Sequence, residues 1–350
     1  MTKIYYDHDV NPALLKKKRI CVLGYGNQGH AHALNLKDSG GDVIVGLRIN
    51  SQHWQTAEQH GLKVMSMPDA CAHSDIIMML IPDEYQSQVY HDIVQNYLSE
   101  GKMILFAHGF SIHYSQIRIA SHIDIAMIAP KAPGHMVRRE FIAGRGVPAL
   151  IAVHQNASGL ATDLALAYAY GIGATRAGVI ATTFREEVET DLFGEQAVLC
   201  GGITSLMKAG FDVLVEAGYQ PELAYFECIN EMKLIVDLIY EGGFSHMRDA
   251  ISNTAEYGDY CTQDKILTSE SKANMKKILN DIQTGKFARE WILENHAGRP
   301  FLDRMRALSH DLTLEKIGKD LRAMMSWLNR QKSKVKEPDV RETTYAQQSG

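Results

Sequence analysis

Arg19-Ile-Cys-Val-Leu23-Gly24-Tyr25-Gly26-Asn27-Gln28-Gly29 decides the reading of this chain. The first five residues are a short apolar run of strand character. The glycines then follow the G-x-G-x-x-G spacing and open a helical pattern over 27–38. Gly24 would permit the tight turn, Gly26 would let backbone approach a pyrophosphate, and Gly29 would let the helix pack closely on the strand. The helix N-terminus offers free N–H groups to an anion. Alone, the motif is a weak signal, because glycines often only make turns. Here a strand precedes it and a helix follows, so Gly24, Tyr25, Gly26, Asn27 and Gln28 are read as a dinucleotide-binding loop.

Outward from this loop the same alternation continues. Runs at 42–45, 75–80, 103–106, 123–127 and 149–153 read as strands, near-continuous in Val, Ile, Leu and Met, as in parallel strands covered on both faces. Helical stretches at 52–60, 84–98 and 158–170 separate several of them. Right-handed strand–helix–strand crossovers give a doubly wound α/β domain of Rossmann type over residues 1–182. After Thr183 strand signals stop. Residues 183–328 are rich in Leu, Met, Ala, Glu and Lys at helical spacing, with Gly201-Gly202, Gly218, Gly242-Gly243 and Gly258 read as helix ends. They predict an all-α second domain. Residues 329–350, with Pro338 and few apolar residues, read as a disordered tail.

Composition narrows the function classes. The chain has 350 residues, 45% of them hydrophobic and 22% charged, and a net charge of −5. An acidic balance with a pI near 6.3 argues against a nucleic-acid binder or a polybasic membrane-surface protein. No unbroken apolar run approaches a membrane span, and the N-terminus lacks a secretory signal. Five scattered cysteines without a C-x-x-C pair disfavour a disulfide framework or thiolate zinc site, and fit a cytoplasmic protein.

Candidate site residues cluster at predicted strand ends, where open α/β sheets bind ligands. Arg48 stands after the second strand, where an NAD site often carries an acid. With Ser51 and His53 it can hold a 2′-phosphate, which points to NADP. Asp83, Glu84, Tyr85 and Gln86 follow the next strand as cofactor contacts. His108, in Phe106-Ala-His-Gly-Phe110, and Lys131 with Gly134, in Ala129-Pro-Lys-Ala-Pro-Gly-His135, follow two more. The helical part carries two acid pairs, Asp191 with Glu195 and Glu227 with Glu231, each at i,i+4 and so on one helix face. Their neighbours are largely apolar, so the acids need a partner. An all-oxygen donor set selects hard cations, Mg2+ before Mn2+, over zinc. Two solvated acidic helix faces would carry the same spacing.

Taken together, these motifs resemble those of the ketol-acid reductoisomerases of the short, class I type. The resemblance runs through Gly24-Tyr-Gly-Asn-Gln-Gly-His-Ala-His-Ala-Leu34, the His108 and Lys131 segments, Glu189-Thr-Asp-Leu-Phe-Gly-Glu-Gln196 and Tyr225-Phe-Glu-Cys-Ile-Asn-Glu231, and covers the chain to about residue 327. It implies an NADPH- and Mg2+-dependent enzyme of valine and isoleucine biosynthesis. Such an enzyme acts on 2-acetolactate and 2-aceto-2-hydroxybutyrate by an alkyl shift followed by hydride transfer. It implies that two Mg2+ ions are held by Asp191, Glu195, Glu227 and Glu231, the last two from a partner subunit. Glu195 would also assist proton transfer, His108 and Lys131 would be catalytic, and Ser252 would contact substrate. It further implies a knotted helical domain and an intertwined homodimer or larger assembly. The chain departs from the resembled pattern at Ile49, Asn50 and His53 in the cofactor loop, and at Ala132. The His53 departure predicts an NADP preference that weakens at alkaline pH. Competing readings are a metal-free NADP-dependent 2-hydroxyacid dehydrogenase and a non-catalytic NADP sensor.

Overall fold

Alternation along each apolar strand sends successive side chains to opposite faces, and both faces are buried. Ile20, Val22, Val45, Met78, Leu105 and Ile128 join one core. Cys21, Leu23, Ile44, Ile77, Met79, Ile104 and Phe106 join the other. The computed structural model describes residues 2–325. The predicted tail lies outside the described residues.

Among the described residues nine strands form one sheet: β1 (Ile4–Tyr5), β2 (Arg19–Leu23), β3 (Asp42–Leu47), β4 (Lys63–Ser66), β5 (Ile76–Met79), β6 (Met103–Phe106), β7 (Asp124–Pro130), β8 (Ala149–Gln155) and β9 (Val179–Ala181). Their order is β1-β9-β8-β7-β6-β5-β2-β3-β4. From β4 to β7 all pairings are parallel. Those six strands follow the dinucleotide-binding order, with the crossover reversing between β2 and β5. The expectation of an all-parallel sheet fails beyond β7. β8 runs antiparallel to β7, β9 parallel to β8, and β1 antiparallel to β9. Strands β1 and β9 escape sequence reading because they are two and three residues long, and β4 because Lys63 and Ser66 leave only two apolar residues between them.

The helices of this first unit are α1 (Asn27–Asp38), α2 (Trp54–Gln59), α3 (Met67–Ala72), α4 (Asp83–Asp92), α5 (Phe110–His113), α6 (Gly134–Ile142) and α7 (Ala161–Gly171). The helix expected over 84–98 stops at Asp92. Ile93 leaves helical geometry at φ −126° and ψ −67°, and a 3₁₀ turn, Val94–Tyr97, takes over.

A second compact unit begins at Asp191, inside α8 (Phe184–Gly194). It contains α9 (Gly201–Glu216), α10 (Pro221–Tyr225), α11 (Met232–Ala250), α12 (Asn253–Ile266), α13 (Ser269–Gln283), α14 (Lys286–His296), α15 (Pro300–His310) and α16 (Thr313–Met324). Two π turns, Glu195–Leu199 and Phe226–Asn230, interrupt the α geometry. Phe211, Ala224, Tyr225 and Leu321 form a local core. Arg322 donates to the Tyr225 hydroxyl at 2.7 Å across it.

Three glycine readings need correction. Gly201 and Gly202 start α9 rather than end a helix, and Gly258 lies inside α12. Gly243 kinks α11 at φ 81° and ψ −177°, a region open essentially to glycine alone. Gly218 does follow a helix end, with φ 90°. Continuous helix from Phe184 to Glu216 is also long and apolar enough to cross a membrane, by length and composition only. Lys208 and Asp212 interrupt this apolar stretch in the sequence, which hid it.

Candidate active site

The glycine loop has the geometry its spacing predicts. Gly24 has φ +99°, and a Cβ there would lie 2.6 Å from the Leu80 carbonyl oxygen. A Cβ on Gly29 would lie 2.3 Å from the Gly24 oxygen, so only glycine lets α1 seat this close to the turn. Nothing lies within 4 Å of a Cβ built on Gly26, so the loop is open there to a ligand. Asn27 and Gln28 begin α1, whose first-turn N–H groups have no intrahelical acceptor. Gln28 Nε2 donates to the Ala132 carbonyl at 2.9 Å, while its buried Oε1 has no protein partner.

Some residues assigned to the cofactor have other work for their side chains. Tyr25 is buried, and its hydroxyl meets His60 Nδ1 at 2.8 Å, so only its main chain can face a ligand. Gln86 is also buried. Its amide donates to the Ile81 carbonyl and to Asp83, and its oxygen accepts from Ser111, which ties α4 to α5. Gly134 is a packing glycine. A Cβ there would fall 1.6 Å from the Asn27 carbonyl oxygen, so its absence brings the start of α6 against the start of α1. Asp83, Glu84 and Tyr85 are half-buried in the first turn of α4.

Arg48 is exposed just after β3. The Ser51 N–H donates to the Arg48 carbonyl at 2.9 Å, and the His53 N–H donates to Ser51 Oγ at 3.3 Å. This turn places three potential phosphate donors within six residues. Burial lowers the His53 pKa below its ordinary value of 6.5. His53 is therefore neutral at neutral pH already. The expected loss of its charge shifts from the alkaline to the acidic side.

The residue sequence reading missed is Glu187. Its side chain is 1% exposed. Three groups converge on its carboxylate: His108 Nδ1 at 3.1 and 3.2 Å, Lys131 Nζ at 3.1 Å and the Gly109 N–H at 3.1 Å. Burial alone would raise its pKa. The His108 hydrogen bond and charge, the Lys131 charge and the Gly109 bond outweigh it and hold the carboxyl below its usual range. A carboxylate only accepts, so His108 carries its proton on Nδ1 and, when neutral, its lone pair on Nε2. Close packing enforces this arrangement, since a Cβ on Gly109 would meet Val188 Cγ2 at 2.8 Å. The available signal was a third i,i+4 step: Glu187, Asp191 and Glu195 stand four residues apart along the chain.

Each acid pair places one member in a π turn and the other in the helical residues flanking it. Asp191 is in the last turn of α8, and Glu195 begins the first π turn, where the Cys200 N–H donates to the Glu195 carbonyl at 2.9 Å. Glu227 is inside the second, closed by the Glu231 N–H on the Phe226 carbonyl at 3.1 Å. Such i→i+5 insertions occur frequently at functional sites. The expectation that all four acids are embedded in apolar surroundings is corrected within this chain. Asp191 is half-buried, whereas Glu195, Glu227 and Glu231 are exposed. Among the described residues the two pairs do not form one cluster of potential ligands. Ser252 caps α12, accepting the Ala255 N–H at 3.2 Å, and is exposed.

Comparison with known proteins decides the family. Residues 14–178 match the acetohydroxy acid isomeroreductase NADPH-binding domain, and residues 184–327 the ketol-acid reductoisomerase C-terminal domain. The chain belongs to the ketol-acid reductoisomerase family. A solved NADH-preferring ketol-acid reductoisomerase from an uncultured archean is 43% identical, with a TM-score of 0.89 over 92% of this chain and 98% of that one. More distant structures share only the fold. A semialdehyde dehydrogenase NAD-binding protein from Cupriavidus necator is 17% identical over 77% of this chain and 99% of its own, with a TM-score of 0.59. A pyrroline-5-carboxylate reductase from Coxiella burnetii is 14% identical over 76% of this chain and 98% of its own, with a TM-score of 0.54. The motif resemblance is borne out, and with it a Rossmann-like domain followed by a helical one. As a ketol-acid reductoisomerase, the chain is an NAD(P)-dependent oxidoreductase of branched-chain amino-acid biosynthesis.

Proposed function

We propose that the chain converts 2-acetolactate and 2-aceto-2-hydroxybutyrate to 2,3-dihydroxy-3-methylcarboxylates, using NADPH and two Mg2+ ions. The observation that carries this reading is that each oxygen-donor pair has one member inside a π turn, Glu195 in the first and Glu227 in the second. A divalent cation of hard character suits that donor set, with Asp191 and Glu195 on one side and Glu227 and Glu231 on the other. Bound Mg2+ would act as a Lewis acid on neighbouring substrate oxygens.

The chain's own residues supply the rest. Glu187 fixes the Lys131 ammonium and the His108 ring, so a cation and a proton-exchanging nitrogen are held in place. During the shift, the substrate hydroxyl loses its proton as the alkyl group moves to the adjacent carbonyl carbon. Glu195 is suited to hold and return that proton. The second step adds hydride from NADPH to the new ketone carbon and a proton to its oxygen. Arg48, Ser51 and His53 would hold the cofactor 2′-phosphate. Ser252 Oγ accepts from Ala255 in the chain, and its hydroxyl proton would meet substrate.

Glu227 and Glu231 would act on the site of a second copy, which makes an intertwined, knotted homodimer the working assembly. An apolar stretch of the helix through 184–216, little buried in one chain, supports such an association. Five free cysteines fit a reducing cytoplasm. Product analysis tests the reading. With 2-acetolactate, one 2,3-dihydroxyisovalerate should form per NADPH oxidised. Reduction without methyl migration, or turnover of simple 2-ketoacids without Mg2+, would instead identify a 2-hydroxyacid dehydrogenase.

A further inference from the structure

The opposite end of the sheet carries a second candidate site. Lys16, Lys17, Lys18, Arg19, Asp42, Ala72, His73, Ser74, Asp75 and Lys102 line a cleft of about 520 Å³. It lies at the N-terminal ends of β2, β3, β5 and β6, away from the strand ends that carry the glycine loop and His108. Five cationic side chains face two carboxylates there, in a chain whose net charge is −5.

The hydrogen bonds show which charges are already used. Arg19 Nε holds Asp42 at 2.9 Å, and Arg19 NH1 donates to the His73 carbonyl at 3.2 Å. Lys102 Nζ donates to the Cys71 carbonyl at 2.9 Å. The negative C-terminal end of α3 is thereby met by Arg19 and Lys102. Asp75 accepts the Arg19 N–H at 2.8 Å, which draws its charge onto the main chain. Lys16, Lys17 and Lys18 form no ion pair among the described residues, and the first two are exposed. Helix-dipole compensation and local ion pairing therefore do not account for them.

We infer that this cleft binds a multivalent phosphate anion, a di- or triphosphate, through the Lys16–Lys18 triplet. Lysines act on phosphate as mobile point charges, and three adjacent ones match successive phosphoryl groups better than a single one. A space of this size exceeds orthophosphate and lies in the range of small-ligand sites. No Phe, Tyr or Trp side chain lines it, so an attached base finds no large stacking face there and the phosphate chain is what is read.

The test is titration calorimetry with inorganic tripolyphosphate on the full-length protein. It is done without Mg2+ and with saturating NADPH, so that neither chelation nor the cofactor loop contributes. Wild type should bind at one site per chain, and more tightly than it binds orthophosphate. The triple variant Lys16→Gln/Lys17→Gln/Lys18→Gln should lose at least about tenfold in affinity, a change of about 1.4 kcal/mol. It should keep wild-type NADPH oxidation in the absence of tripolyphosphate, which reports an intact fold. Undiminished binding by that variant, no saturable binding by wild type, or equal affinity for orthophosphate would each overturn the inference.

Discussion

Glu187 is the residue on which the chemistry of the first unit turns. It is a buried carboxylate between a histidine, a lysine and a main-chain N–H. The sequence places it inside Arg185-Glu-Glu-Val-Glu189, a run that reads as a solvated helix start, and spacing alone does not say which acid turns inward. Glu187→Gln keeps the shape but removes the charge. We expect kcat to fall about 100-fold with little change in the KM for NADPH, since His108 and Lys131 lose their anchor. Stability should fall by about 1–3 kcal/mol at neutral pH. The folded pKa of Glu187 is depressed, so its contribution is complete above the ordinary value of 4.5 and is lost as pH falls through the lowered one. The Tm gap between wild type and Glu187→Gln should therefore close toward acid pH, and a constant gap would contradict the assignment. His53 offers a second pH test. Because its pKa lies below 6.5, the NADPH KM of wild type should fall relative to that of His53→Ser only on acidification. Parallel curves from neutral to acid pH would remove His53 from the phosphate site.

At the scale of elements, most of the strand framework was legible. Continuous Val, Ile, Leu and Met runs mark strands buried on both faces, and the glycine spacing marks the one turn that needs them. What was not legible depends on long-range pairing or on small backbone departures. Nothing within Ala149–Gln155 says that β8 runs antiparallel, because an apolar strand run reads the same in either direction. The π turns were equally hidden, although Gly201-Gly202 is the trace of the first. A Cβ on Gly201 would lie 2.1 Å from the Gln196 carbonyl oxygen, and one on Gly202 would lie 2.2 Å from that of Ala197. These are backbone atoms with no freedom to move aside while the π turn persists. Gly202→Ala should therefore force the segment back toward α geometry and rotate Asp191 and Glu195 relative to α9. We expect Mg2+ affinity, measured by calorimetry, to drop at least about tenfold while NADPH binding is unchanged. Equal Mg2+ affinity in variant and wild type would mean that the π turn does not set the acids.

For the whole molecule, the two acid pairs bear on assembly. Among the described residues the pairs do not form one cluster of potential ligands, and an apolar stretch of the helix through 184–216 is little buried. If each site draws one pair from each of two copies, Asp191→Asn and Glu227→Gln should each be inactive alone. Co-expressed, they should recover about a quarter of wild-type activity, because half the dimers are mixed and each mixed dimer has one intact site. No recovery in isolated mixed dimers would place both pairs in one subunit's site. The motifs pointed to the family, but the arrangement of subunits leaves no mark on periodicity, since an exposed apolar helix and a core helix have the same pattern. The most direct measurement is NADPH oxidation with racemic 2-acetolactate, with and without Mg2+, in wild type and Asp191→Asn. The account predicts turnover that requires Mg2+ and disappears in the variant. Turnover that persists without Mg2+, or in Asp191→Asn, would contradict it.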